Sequence, residues 1–461
     1  MLEELAPVQR GQAFDNRINK TRIVFEIPRE RLSHEVFGAA ASARSKFGEP
    51  SFLFGRQGDF HGTQASRTVS KVNLTRMKSA VSAVSSGIEA TSVKAGLPDG
   101  HLRSIAIWLL ICCFMIFVMV VIGGITRLTL SGLSITEWQP VTGILPPLSP
   151  ATWAAEFSKY QHIPQYRLVN YGMSLDQFKT IYLWEYVHRL WGRLIGFAYA
   201  LPFLYFALRR RLPRALLTPL AGIFLLGFLQ GALGWYMVES GLAERAEVSQ
   251  YRLVAHLALA LLIYAATLWV ALDIPAPSPH PNPPPLEGEG VQADGAAGPL
   301  PRKRGRVRVG TAWRCAADTV LGLVVSTIVA GGFVAGIHAG LTYNTFPLMD
   351  GSFVPAGYAQ LQPFLRNWFE NIAAVQFDHR LLAEATAASV LALWLAGREA
   401  NLPRPAGLTL HALLAAAALQ FALGIATLLF VVPIPLAAAH QAGALLLLTA
   451  AIVFRHRLQH R

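Results

Sequence analysis

Eight stretches of this chain are apolar for long enough to cross a hydrocarbon core of about 30 Å, which takes about 20 helical residues. They cover roughly 104–126, 180–208, 215–238, 253–272, 319–337, 372–396, 406–432 and 435–454. None has the short alternation of a barrel strand, and a lipid-exposed span must satisfy its own backbone hydrogen bonds, so all eight are expected to be helices. The composition agrees: 53% of the residues are hydrophobic, 15% are charged, and the mean hydropathy is +0.39. That excludes an ordinary soluble enzyme and predicts an all-α membrane protein. Cys112, Cys113 and Cys315 sit in or beside apolar runs with no CxxC pair. Neither a disulfide framework nor a thiolate metal site is expected.

The formal charge of +13 comes from 40 Lys and Arg against 27 Asp and Glu. Its placement matters more than its size. Arg209–Arg211 and Arg214 follow the second run, Arg302 to Arg308 the fourth, Arg398 and Arg404 the sixth, and Arg455, Arg457 and Arg461 the eighth. Basic residues beside span ends mark the cytoplasmic or matrix side, so these links and both termini are expected there. The links at 127–179, 239–252, 338–371 and 432–435 then face the periplasm or intermembrane space. The basic residues read as topology signals, and nucleic acid is not expected as a partner.

Two segments stand outside this scheme. Residues 1–100 are polar and rich in Ser and Arg, and read as a mobile extension or as a start assigned too early, with Met77 nearer the true one. A transit peptide fits less well, because the stretch is long and acidic for one. Residues 273–312 contain PAPSPHPNPPPLEGEG and PRKRGRVR, a disordered linker by composition. It separates residues 101–272 from 313–461, and these halves resemble one another. Glu185-Tyr-Val-His188-Arg189-Leu190 answers Gln376-Phe-Asp-His379-Arg380-Leu381. Gln230…Gly234 answers Gln420…Gly424, and Gly123-Gly124…Gly132 answers Gly331-Gly332…Gly340. The pattern predicts two tandem, pseudo-symmetric four-helix bundles, repeated in parallel rather than inverted.

An ionisable side chain inside a membrane helix is a functional hypothesis by default. His188, His256, His379 and His440 fall one each in runs two, four, six and eight, at a common depth near the outer ends. Within each half, two such helices can present imidazoles to opposite faces of a porphyrin iron. Small residues one and two turns beyond them (Gly192 and Gly196, Ala383 and Ala387, Ala260, Gly443 and Ala444) leave room for a macrocycle, or are plain helix-packing positions. Glu185 stands one turn before His188 where the other half has Gln376, an asymmetry that suits acid–base chemistry at one site only. The competing reading pairs Glu185 structurally with Arg189 or Arg193. Arg127, Arg189, Arg193 and Arg380 suit heme propionates, snorkelling or nearby carboxylates equally. His162, His338 and His411 read as ordinary polar residues in or near loops.

The strings Gly123-Gly124-Ile-Thr126-Arg127, Ser131-Gly132-Leu133-Ser134-Ile135-Thr136-Glu137-Trp138-Gln-Pro140, Tyr182-Leu-Trp184-Glu185-Tyr186-Val-His188-Arg189 and Asn344-Thr345-Phe346-Pro347-Leu-Met349-Asp350-Gly351 resemble heme A synthase over about residues 103–455. The resemblance implies oxidation of the C8 methyl group of heme O to a formyl group, giving heme A for cytochrome oxidase. It implies that His379 and His440 hold a heme b, that His188 and His256 address the substrate heme, and that Glu185 is catalytic. The implied partners are heme O, an electron donor (ferredoxin-like or other), heme O synthase, cytochrome oxidase assembly factors and the lipid bilayer. Homo-oligomerisation is left open. The implied location is the bacterial inner membrane with heme sites toward the periplasm, with the mitochondrial inner membrane as alternative. The family's cysteine-pair branch is not matched. A diheme electron-transfer cytochrome remains the rival reading, and a repeat-built transporter is disfavoured because no matched mid-membrane helix break is present.

Overall fold

The computed structural model describes residues 99–137, 143–244, 247–274, 310–400 and 402–459. The N-terminal extension, the Pro-rich linker, Trp138 and Pro140 lie outside the described residues. Eight long helices are present: α1 Asp99–Leu128, α2 Leu175–Leu208, α3 Arg214–Glu244, α4 Gln250–Asp273, α5 Thr311–Gly336, α6 Ile372–Glu399, α7 Arg404–Leu429 and α8 Ile434–Arg457. Each is long and apolar enough to cross a membrane. Among the described residues there is no strand, only an isolated bridge between Met349 and Ser352. The chain is an all-α membrane protein.

Most helices outrun their apolar runs by a turn or so, and two of them, α2 and α6, start under side-chain caps. α2 starts in Leu175-Asp-Gln-Phe-Lys, where the Ser174 side chain accepts from Gln177 N and the Gln177 side chain accepts from Ser174 N. α6 starts under Asn371, whose side chain accepts from Ala373 N and Ala374 N. The extra turns of α2 carry a folded cap. Short helices Pro150–Gln161 and Pro164–Leu168 from the long first loop pack Tyr160, Trp153 and Phe157 against Phe178, Ile181 and Tyr182. The sequence pattern, read for spans, gave no hint of this aromatic cap.

Packing follows one scheme in both halves. α1 touches α2, α2 touches α3, α3 touches α4, and α4 closes back on α1; α5 to α8 repeat that ring. Among the described residues neither the α2/α4 nor the α6/α8 diagonal packs comparably. The halves meet through α1 on α8, α4 on α5 and α4 on α8. The α4/α5 contact is close because α5 carries Gly332 and Gly336 one turn apart, with Val254 and Gln250 against them.

The main apolar core stops short of the histidine layer in every helix. It takes α1 up to Val120, α3 up to Ile223, α5 up to Val324 and α7 up to Ala417, then α2 from Tyr199, α4 from Leu261, α6 from Val390 and α8 from Leu445. Nearer the loop-rich end, glycine, glutamine and histidine join buried apolar residues such as Val254 and Val375 in the interior.

That end also carries an ionic junction between the halves. Arg127 Nη2 donates to Glu247 Oε2 at 3.0 Å and to Gly336 O at 3.1 Å, and lies 2.8 Å from His338 Nε2, which is itself 2.8 Å from the same Glu247 oxygen. His338 was expected to be an unremarkable loop residue; a left-handed backbone (φ 54°) turns it into this cluster. The His338 hydrogen bond, aided by the charge on Arg127, holds the Glu247 carboxyl below its ordinary 4.5. A depressed folded-state pKa stabilises the fold above the ordinary value and ceases to do so once pH falls through the depressed one. Thermal melts in detergent should therefore lose stability on acidification below 4.5, and Glu247→Gln should flatten that part of the profile. Equal slopes in parent and variant would dismiss the junction as a contributor.

Candidate functional site

The four intramembrane histidines each rest on a glycine of the preceding helix. A Cβ built at Gly123 of α1 would stand 3.3 Å from His188 Nε2, and one at Gly234 of α3 would stand 3.0 Å from His256 Cε1. In the second half the pairs are Gly331 with His379 (3.0 Å) and Gly424 with His440 (2.9 Å). These glycines marked the repeat in the sequence, but their position beneath the rings was not legible there. Contact at the backbone lets a flat ring lie where any side chain would displace it.

Because the histidines ride on the diagonal helices, each half brings two imidazoles toward one interior. The helices reach that layer after different numbers of turns. His256, His379 and His440 stand about two turns into their helices, whereas His188 stands between three and four turns into α2, whose first turns belong to the cap.

The donor set suits a porphyrin iron with two axial imidazoles. His379 Nδ1 lies 3.1 Å from Thr327 O; as the N–H donor it leaves the Nε2 lone pair for a metal. Gln420 Nε2 lies 3.2 Å from His440 Nδ1, while Gln420 Oε1 is buried without a partner. A half turn of that amide would offer the oxygen to an Nδ1–H and prepare His440 in the same way. Gln230 Nε2 donates to His256 O at 3.0 Å, and His256 Nδ1 is buried and unpartnered. Among the described residues no three His, Cys, Asp or Glu side chains converge as a metal cage.

The small residues beyond the histidines divide. Nothing lies within 4 Å of a Cβ at Gly196, and only Met119 Cε approaches one at Gly192, so that stripe of α2 is open. Gly443 instead takes Gln420 and Leu423 of α7 against it, and is a packing position.

Glu185 is 2% exposed and every lone-pair direction is used. Oε2 accepts from Ser134 Oγ (2.7 Å) and Ile135 N (2.8 Å); Oε1 accepts from Arg189 Nη2 (2.6 Å) and Nε (3.0 Å). Arg189 also donates to Ile135 O and Glu137 O, at 3.0 and 3.3 Å. The matched arginine does the same: Arg380 donates to Tyr343 O (2.7 Å) and Thr345 O (2.8 Å), while Gln376 Nε2 donates to Tyr343 O (3.2 Å). Each arginine thus ties the loop after the first helix of its half to the second helix, beside the histidine. Asp378 is bonded by Tyr358 OH at 2.9 Å rather than by Arg380.

Of the four arginines considered for propionates, Arg127, Arg189 and Arg380 bond the protein groups named above. Arg193, one turn below Arg189, lines a cavity of about 360 Å³ with Arg189, Tyr182 and Tyr186 on one wall and Leu145, Pro147 and Leu148 on the other. His162 and His411 are exposed and bond Ser158 O and Gly407 O within their own helical segments. They stand apart from the histidine layer.

Residues 106–452 match the model of the family described as cytochrome oxidase assembly protein. The chain belongs to that family. Its relatives include the heme A synthase of Nitrosospira multiformis, 52% identical over 359 residues, covering 78% of this chain and 94% of the relative. The heme A synthase of Rhodospirillum centenum is 54% identical over 346 residues, 75% and 86% of the two chains. That of Nitrosomonas eutropha is 47% identical over 366 residues, 79% and 97%. The family match takes in all four histidines, Glu185 and the four glycines beneath the rings.

The glycines give a test of the ring-backing geometry. Gly331→Ala places a methyl 3.0 Å from the His379 ring, whose Nδ1 meets Thr327 O one turn earlier on the same helix as the glycine. Alanine is by itself favourable in a helix by roughly 0.5–1 kcal/mol. A drop in heme retained per chain, with unchanged helix content, is the expected result. Full retention would mean that the ring does not need the glycine.

Proposed function

We propose that this chain is a heme A synthase that oxidises the C8 methyl group of heme O to a formyl group. The observation that carries the reading is the doubled arrangement of two imidazoles per four-helix ring, each seated on a glycine, in a chain whose relatives bear that name. We assign residues 101–272 to the substrate unit and 313–461 to a unit in which His379 and His440 hold a heme b. That group, when bound, supplies one-electron redox chemistry.

The other roles belong to side chains. His188 and His256 orient the substrate heme in the first unit. Arg189 and Glu185 hold the Ser131–Glu137 segment over it. Glu185 takes a proton only when one of its four donors turns away, and the Ser134 hydroxyl, on a single rotatable bond, turns most readily. The α2 wall with Arg189 and Arg193, facing apolar Leu145 and Leu148, suits an amphipathic anion, and a heme with carboxylates and a long apolar tail is one. The basic loops orient the chain in the bacterial inner membrane with both sites toward the periplasm. Taking a methyl to a formyl group removes four electrons and adds an oxygen atom, so the reaction needs an oxidant beyond the chain. With dioxygen in that role at each hydroxylation, a separate donor supplies the electrons that reduce its remaining oxygen to water.

One observation favours the rival diheme electron-transfer cytochrome: Glu185 is fully paired, as a structural residue would be. Heme extraction decides. Protein purified from a host that makes heme O should yield heme B together with heme O, its hydroxylated form or heme A. Heme B alone, at two per chain, would replace the synthase reading with the rival.

A further inference from the structure

Each Gly-Gly doublet lies between the two sites. In the first half Gly123 backs His188, and the adjacent Gly124 faces the other half, where a Cβ would overlap the Gln441 amide of α8. In the second half Gly331 backs His379, and Gly332 faces Val254 and Leu257 of α4, at 3.0 and 3.3 Å from its Cβ position. Gln441 directly follows His440, and Leu257 directly follows His256. At both junctions, then, the residue after one unit's second histidine rests near the glycine beside the one that backs the other unit's first histidine.

The junctions differ in chemistry. Leu257 offers apolar contact only. Gln441 Nε2 donates to Val120 O of α1 at 2.8 Å, and that carbonyl acceptor fixes which way round the amide sits. Within a membrane bundle an amide gains little elsewhere, so this bond ties α8 to α1 less than one turn before Gly123.

We infer that Gln441 is a positioning residue for His188: bonded to Val120 O and seated on Gly124, it fixes from the second unit the stretch of α1 on which the first unit's imidazole rests. The inference rests on the reading of the histidine pairs as ligands of two hemes. It makes the two sites mechanically linked on one side only, since the matched junction through Leu257 has no hydrogen bond.

The test uses Gln441→Met, which keeps the length and removes the donor, in full-length protein purified with its hemes. The low-spin resonance signature and midpoint potential of each heme are first assigned with His188→Ala and His379→Ala. The expected result is a shift in the His188-dependent signal with the His379-dependent one in place. Gln441→Leu, which copies the other junction, should move the same signal, and Leu257→Met should move neither. The inference is overturned if Gln441→Met leaves both signals unchanged, moves only the His379-dependent one, or strips both hemes. A parent whose signals do not depend on His188 would instead overturn the ligand reading and the inference with it.

Discussion

Replacing His379 with alanine is expected to strip the second-unit heme and reduce heme A formation by more than about a hundredfold, since even residues that only support a metal ligand cost about 10–100-fold. The ring is held against α5 by two contacts one turn apart, the Gly331 backbone and Thr327 O at Nδ1. Alanine leaves the glycine and the carbonyl in place but supplies no nitrogen. The helix should survive, because Ile372–Glu399 is capped by Asn371 and contributes to the apolar core below the histidine layer from Val390 onward. The check is heme per chain by extraction, alongside circular dichroism. His411→Ala, at an exposed histidine bonded within its own helix, is the control and should retain heme. A His379 variant that keeps a full heme complement would remove this residue from the ligand set.

Arg189→Ala should be the most damaging single change at the loop-rich end. Glu185 and Arg189 are both nearly fully enclosed, at 3% and 13% side-chain exposure, and removing one partner of a buried pair costs about 3–5 kcal/mol. The loss is larger than the pair itself, because the bonds to Ile135 O and Glu137 O disappear with the guanidinium. A marked fall in melting temperature is expected, with faster hydrogen exchange in 131–137. Glu185→Gln should divide the two effects differently. The amide turns its NH2 toward two of the four donors, but Arg189 keeps Ile135 O and Glu137 O, so a smaller fall in melting temperature is expected than for Arg189→Ala. Product formation should nonetheless fall by about a hundredfold or more if the carboxylate does proton chemistry. Near-normal product from Glu185→Gln, with Arg189→Ala still unstable, would make the pair a structural clamp and nothing else.

Much of this protein was written in its sequence, and the reason is physical. Hydrocarbon accepts a helix only if some 20 residues in a row are apolar, so the eight spans could be found without a structure. The cost of a buried imidazole made His188, His256, His379 and His440 conspicuous, and the repeat made Gly123, Gly234, Gly331 and Gly424 visible as markers. What the glycines do was not visible, because a pattern in one helix does not state which ring of another helix lies on it. The partner of Glu185 was likewise open between two arginines, and only the rotation of α2 against the Ser131–Glu137 segment chose Arg189. The Arg127–Glu247–His338 junction joins residues more than 200 positions apart, and no local pattern encodes such a contact. The sequence determined the spans, the histidines and the repeat, since these depend on transfer from water to lipid residue by residue. Tertiary structure alone decided the ring seats, the clamp and the junction between halves, since these depend on which helix faces turn toward one another.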